Sequence, residues 1–235
     1  MSNPLMTSLA PAYCALVIGA SGGIGSAVVR QFEIDGNCRK VVRLSRRKDG
    51  FDVTDEDSMH RAAEVLKEEE FDLILCATGA LTIDGVGPEK SIRALSQASM
   101  MAQFAVNAVG PALVLKHFAP LLARKKRAIF ALLSARVGSI GDNALGGWIS
   151  YRSSKAALNQ IVHTAAIEIS RINPLSLIVA VHPGTIATSL SEPFSSGHAR
   201  SEPDEAATRI LKMLDGLRSS SSGGLFADDG NTIPW

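Results

Sequence analysis

Apolar residues in this chain gather in short unbroken runs instead of alternating with polar ones. Tyr13–Gly19, Lys40–Ser45, Leu73–Ala77, Ala128–Leu133 and Leu175–His182 read this way, with a weaker last run at Gly224–Ala227. Runs of that length and content predict strands buried on both faces of a parallel sheet. Stretches with helical spacing lie between them: Gly23–Ile34, Asp55–Glu69, a long one around Ser91–Arg124, Ile149–Ile172 and Pro203–Leu217. The last opens with Ser201-Glu202-Pro203 and carries Asp204 and Glu205 where a helix dipole favours acids. Strand and helix in regular succession predict an α/β class. The expected architecture is a Rossmann-type, doubly wound parallel sheet in three layers, with residues 1–235 as a single domain. Ligands of such sheets bind beyond the carboxyl ends of the strands, so the chemistry should follow strands.

The first predicted strand runs into Gly19-Ala20-Ser21-Gly22-Gly23-Ile24-Gly25, and a helical pattern follows at once. Glycines there let the chain turn sharply and bring backbone N–H groups close to a pyrophosphate. The helix N-terminus adds a favourable dipole for its charge. A glycine turn alone is weak grounds, but its place between first strand and first helix is what dinucleotide binding requires. Further along, Tyr151-Arg152-Ser153-Ser154-Lys155 opens a helical pattern. A spacing of four puts phenol and ammonium on one helix face. A cation beside a phenol is expected to lower its pKa and suit it to proton exchange with a carbonyl or alcohol oxygen.

Composition sets the outer bounds. Across 235 residues, 46% are hydrophobic and 20% charged, which is ordinary for a folded domain and not for a disordered one. A formal charge of +1 gives no electrostatic reason to expect nucleic acid or an anionic membrane as partner. No apolar run reads as long enough to span a bilayer. The first residues lack the basic region of a signal peptide, so a cytoplasmic location is expected. Cys14, Cys38 and Cys76 show no paired spacing, two of them fall in predicted strands, and all three read as small buried hydrophobes. The histidines have no metal-ligand spacing, and Ser219–Gly224 reads as a flexible loop. Arg124-Lys125-Lys126-Arg127 reads as a solvated helix C-terminus complementing the dipole, not as a nucleic-acid patch. Trp148 and Trp235 read either as pocket walls or as packing. Ser189–Ser201 reads as a loop able to close over a substrate.

The G-x-x-x-G-x-G turn with Tyr-x-x-x-Lys resembles the short-chain dehydrogenase/reductase family. Gly138-Ser139-Ile140-Gly141-Asp142-Asn143, the stretch Tyr151–Asn159 and the closing Asp229–Trp235 are similar to its branch of C-factor proteins and Sniffer-like carbonyl reductases. The resemblance covers essentially the whole chain. It implies a hydride-transferring oxidoreductase, with Tyr151 as general acid/base and Lys155 also holding the nicotinamide ribose. Asn107 would position a water in a proton relay to that lysine. The cofactor contacts it implies are Gly19, Ser21, Gly23, Ile24 and Gly25 at the pyrophosphate, and Ser45, Arg46 and Arg47 at the adenosine ribose. Asp52 and Val53 would lie at the adenine, after a short strand expected just before them, with Asp52 accepting from its amino group. Ala77, Thr78 and Gly79 would line the middle; Pro183, Gly184, Ile186 and Thr188 would meet the nicotinamide. The basic pair Arg46-Arg47 stands where an acid would select NAD, and it favours the 2′-phosphate of NADP(H); NAD(H) stays open. A carbonyl or alcohol is the implied small-molecule substrate, and a homodimer or homotetramer the implied assembly.

The sequence departs from the family at three places. Ile18 stands where the family has threonine, Cys76 and Ala77 replace two asparagines, and Ala135 occupies the place of the active-site serine. Ser134 neighbours it but would face away on an extended strand, and Ser139 would reach in only if the loop folds back. Losing one donor at a developing oxyanion typically costs about 2.7–4 kcal/mol. The alternative reading is therefore a C-factor-like signalling or regulatory dinucleotide-binding protein with weak turnover.

Overall fold

A computed structural model describes residues 4–188 and 200–235. Its strands are β1 (Tyr13–Ile18), β2 (Cys38–Leu44), β3 (Leu73–Cys76), β4 (Ala128–Leu133), β5 (Ser176–His182) and β6 (Leu225–Ala227). They form one parallel sheet in the order β2-β1-β3-β4-β5-β6. The order reverses between β1 and β3, which opens a crevice at their carboxyl ends. The helices are α1 (Gly23–Ile34), α2 (Arg46–Asp49), α3 (Glu56–Val65), α4 (Gln97–Phe104), α5 (Gly110–Phe118), α6 (Ile149–Ile172) and α7 (Pro203–Gly216).

Side chains alternate across each strand, so the apolar runs feed two cores. Leu16, Ile18, Ile74, Phe130 and Ile178 pack with Phe118 of α5 and Leu158 and Val162 of α6. Val17, Leu75, Ile129 and Val179 face Val28 and Phe32 of α1 and Ile210 and Leu214 of α7. Burial on both faces is why the strands read as continuous apolar runs.

The structure corrects several expectations. No strand precedes Phe51; the chain instead winds into the short α2, none of whose residues is buried. α3 ends at Val65, well before Glu69, and starts on Asp55, whose side chain accepts from the Asp57 N–H. Cys38 opens β2, so all three cysteines lie in strands. The long helical stretch is segmented: α4 passes through a π turn, Ala105–Val109, into α5 and then a 3-10 turn, Ala119–Leu121. This run, Gln97–Leu121, covers 25 residues and contains an 18-residue window of mean hydropathy 1.4, so by length and composition one helix is long and apolar enough to cross a membrane after all. It carries Lys116 and His117 paired with Glu56, and Phe118 in the core, as a helix packed on a sheet also would. The basic run caps a different helix from the one expected. Arg127 donates to the carbonyls of Leu214 and Leu217 at the end of α7, and Lys126 pairs with Asp72 at 2.7 Å. Residues 189–199 of the expected closing loop lie outside the described residues.

One long-range contact fixes the helix that carries Tyr151 and Lys155. The N-cap position of α6 is Trp148, which offers no side-chain cap, and the first turn holds no acid. Glu89 supplies both from a distant loop: its carboxylate accepts from the Ser150 N–H and from the Ser150 hydroxyl. Burial by itself pushes the Glu89 carboxyl up, but the bonds from Ser150 outweigh it and hold the group below its ordinary value. A carboxyl lowered in the folded state stabilises above its unfolded pKa, and the contribution is lost as pH falls through the folded value. Glu89→Ala strands buried Ser150 donors and should lower unfolding free energy by about 1–3 kcal/mol at neutral pH. Glu89→Gln, which keeps an acceptor, should lose less. Urea midpoints of wild type and Glu89→Ala should converge on acidification; identical midpoints at pH 7 would contradict the capping role.

Candidate active site

The crevice widens into a cavity of about 720 Å³, a size ordinary for ligand sites. Its pyrophosphate end is the turn after β1. Gly19 sits at φ +83°, and a Cβ there would lie 2.9 Å from the Ala77 carbonyl. The turn is pinned to the end of β2, because the Gly19 and Ala20 N–H groups both donate to the Leu44 carbonyl at 2.9 and 3.1 Å. Gly22 caps α1 with no side-chain acceptor and no acid follows in the first turn, so the helix's own first turn offers no side chain to compete with an anion there. A Cβ on Gly23 would meet the Thr188 methyl at 2.5 Å, so this wall tolerates no side chain. These residues fit a dinucleotide pyrophosphate.

At the other end, α6 presents Tyr151 and Lys155 side by side, 8% and 3% exposed. The lysine Nζ lies 6.0 Å from the centre of the tyrosine ring and donates to the Leu133 carbonyl at 3.0 Å. Burial pushes the phenol up to about 12 and the ammonium down to about 8, with only the Cys76 thiol opposing the latter. The expectation that the lysine lowers the tyrosine is therefore overturned in the chain by itself. Desolvation of the phenolate outweighs a cation at this distance that is itself half-way to neutral near pH 8.

The sequence-predicted residues separate into three groups. Gly23, Ile24, Ala77, Thr78 and Gly79 line the cavity together with Tyr151, Lys155, Pro183, Gly184, Ile186 and Thr188. Gly19, Ser21 and Gly25 shape the turn without lining it, and Asn107 stands behind Gly79. A Cβ on Gly79 would lie 3.1 Å from Asn107 Oδ1 and 3.3 Å from Lys155 Nζ. Asn107 is fully buried in the π turn; its Nδ2 donates to the Ala80 carbonyl and to Gln103 Oε1, and its Oδ1 accepts from the Ala80 N–H. Its amide thus braces the loop after β3. Ser45, Arg46, Arg47, Asp52 and Val53 lie apart, at the end of β2 and beyond it. Arg46 is 3.9 Å from Asp52, and hydrogen bonds from the Thr54 N–H and hydroxyl hold the Asp52 carboxyl below its usual range.

The substrate side is apolar. Ala135 and Leu81 pack against Tyr151, and Trp148 meets the tyrosine edge-on at 6.3 Å. Trp148 holds a left-handed backbone, φ 53°, an unfavourable conformation for an aromatic residue. Arg152 steadies it by donating to the carbonyls of Gly146, Gly147 and Val137. Trp235 instead meets His163 edge-on at 5.5 Å and serves packing. Neither candidate serine replaces the one absent at Ala135. The Ser134 hydroxyl donates to Asn159 Oδ1 at 2.6 Å, and Ser139 Oγ accepts from the Asp142 N–H at 3.1 Å. Sequence reasoning missed Leu81, Val137 and Leu145 as cavity walls, and Glu89 as the cap behind them. No pattern flags them, because each is a single residue on an irregular loop.

Residues 19–214 match the family model described as enoyl-(acyl carrier protein) reductase. A 1-hydroxy-2-glutathionyl-2-methyl-3-butene dehydrogenase of Rhodococcus sp. (strain AD45) is 31% identical over 232 residues, covering 94% of this chain and 98% of that protein. The C-signal protein of Myxococcus xanthus is 33% identical over 139 residues, 59% of this chain and 80% of its own. Among solved structures, the NADPH-bound carbonyl reductase from chicken fatty liver superposes with a TM-score of 0.83 at 24% identity, over 97% of both chains. The carbonyl reductase Sniffer of D. melanogaster gives 0.80 at 18%, over 96% of this chain and 100% of its own. At those identities the structures speak for the fold, and the match over residues 19–214 speaks for descent. The chain belongs to the short-chain dehydrogenase/reductase family of oxidoreductases.

Proposed function

We propose that the protein is an NADP(H)-dependent reductase of apolar carbonyl compounds, the whole chain forming one catalytic domain. The observation that carries this is the single cavity joining the glycine turn to Tyr151 and Lys155. When bound, the nicotinamide supplies or accepts a hydride at the carbonyl carbon. Tyr151 gives its proton to the carbonyl oxygen, and Lys155 orders the ribose and returns a proton to the tyrosine. A phenol pushed up to about 12 is protonated throughout the neutral range, which suits the reductive direction. Walls of Leu81, Val137, Leu145 and Trp148 favour an apolar substituent on the carbonyl. The Rhodococcus relative is named for an alcohol that carries a glutathionyl group. Arg152 and Lys155 are the cations lining this cavity among the described residues, and both already donate to main-chain carbonyls. That supports a less polar substrate here. Subunit pairing, as homodimer or homotetramer, would use the apolar groove between α5 and α6, where Leu122, Ile161 and Ile169 lie. A cytoplasmic location is part of the same proposal.

The second reading, a signalling or regulatory protein with slight turnover, rests on Ala135 and the committed Ser134. Ala135→Ser separates the two. The enzymatic reading expects readily measured wild-type turnover and a gain below about tenfold, whereas an active site damaged by the missing donor expects a gain of about a hundred- to a thousand-fold.

Tyr151→Phe should abolish NADPH oxidation with a panel of aryl and alkyl ketones while leaving NADPH binding intact. Equal rates in the two proteins would remove Tyr151 from the chemistry. The wild-type reductive rate should be level up to about pH 8 and fall above it as Lys155 loses its proton. Replacing Arg46 and Arg47 with alanine should weaken NADPH about ten- to a hundred-fold and leave NADH unchanged, read as fluorescence titrations. An unchanged preference would locate the 2′-phosphate contact elsewhere.

A further inference from the structure

The substrate side of the cavity contains a buried polar group that the chemistry above does not use. Leu133 pairs with Val181 in the β4–β5 register, and the Ser134 N–H donates to the Val181 carbonyl at 2.7 Å. Ser134 and His182 are therefore the next pair along, on the same face of the sheet. Leu132 and Ala180, one residue back from the registered pair, belong to the core under α6, so Ser134 and His182 face that helix as well. The Ser134 hydroxyl reaches Asn159 of α6, four residues after Lys155. Two polar atoms are left over in this layer: Asn159 Nδ2 and His182 Nδ1 are both buried and unpartnered among the described residues. The two do not bond each other directly, but an amide N–H and an unprotonated imidazole nitrogen are complementary, and one bridging water would satisfy both. His182 lines the cavity, and its Nε2 is not among the buried unpartnered atoms.

We infer that His182 supplies the hydrogen-bond donor to the substrate oxygen that Ala135 cannot, with Asn159 as the positioning residue that fixes the imidazole as its Nε2–H tautomer. The inference rests on the reductase reading of the same site. A donor at this point must be neutral, since an imidazolium would compete with Tyr151 to protonate the oxygen. Burial and the Arg136 guanidinium push His182 down to about 4, against the weaker opposing charges of Asp228 and Asp229, so the ring is neutral in the physiological range. The arrangement also accounts for a serine at 134 that looks idle. Its hydroxyl occupies Asn159 Oδ1, which leaves the amide's N–H groups to find another acceptor.

Two measurements decide it. In kinetics, His182→Phe should lower kcat/KM for ketone reduction on the order of a hundred-fold with NADPH affinity unchanged. Adding Ala135→Ser to that variant should restore most of the loss while changing the wild type little. Wild-type kcat/KM in His182→Phe, or the same factor from Ala135→Ser in both backgrounds, overturns the assignment. Nitrogen-15 NMR of ring-labelled wild-type protein, which needs no substitution in the site, should find His182 as the neutral Nε2–H tautomer from pH 5 to pH 8. Asn159→Leu should scramble that tautomer. A Nδ1–H tautomer, or an imidazolium at pH 6, overturns it as well. If the wild type reduces no carbonyl compound at all, the reductase reading fails, and the tautomer still reports on the histidine independently.

Discussion

A buried ammonium with no carboxylate partner among the described residues governs this molecule's site. Lys155 is 3% exposed, and among the described residues it donates to one backbone carbonyl, that of Leu133. An isolated charge in such a place is costly, and the chain meets the cost by letting the lysine approach neutrality, near pH 8. The rest of the local architecture follows from keeping that group where it is. α6 must be held rigidly, which Glu89 does at its first turn; the loop after β3 must come close, which Gly79 permits and Asn107 braces. A dinucleotide ribose, with hydroxyls able to accept from the ammonium, is the natural complement to a cation so placed.

Most of the fold was legible because burial leaves a simple imprint. Strands packed on both faces must be apolar throughout, and β1, β3 and β4 are buried at every position, as their runs foretold. α2 was invisible for the opposite reason: Arg46-Arg47-Lys48-Asp49 has no apolar face to pattern, and the short strand expected before Phe51 had only the family's habit behind it. The π turn at Ala105–Val109 adds a single residue to one helical turn, and every residue in it is compatible with an ordinary helix.

At the site, spacing was readable and environment was not. Four residues between Tyr151 and Lys155 fixed their common face, but not that desolvation would push the phenol up. Ala135 was legible as a departure, but the alternation of an extended strand misplaced Ser134, whose hydroxyl reaches Asn159 on α6, the helix that carries Tyr151, and which lines the same cavity. What Ser134 turns towards could not be read. Asn159 and His182 reach it from separate elements, brought together only by the β4–β5 register and the packing of α6 on it.

The most direct test is isotopic. NADPH carrying deuterium at the transferable C4 position should deliver it to the carbonyl carbon of a ketone, so that the alcohol product contains one deuterium and a single configuration. An alcohol free of deuterium, or recovery of the labelled cofactor and the ketone unchanged, would contradict the account of a cavity built to join cofactor and carbonyl at Tyr151.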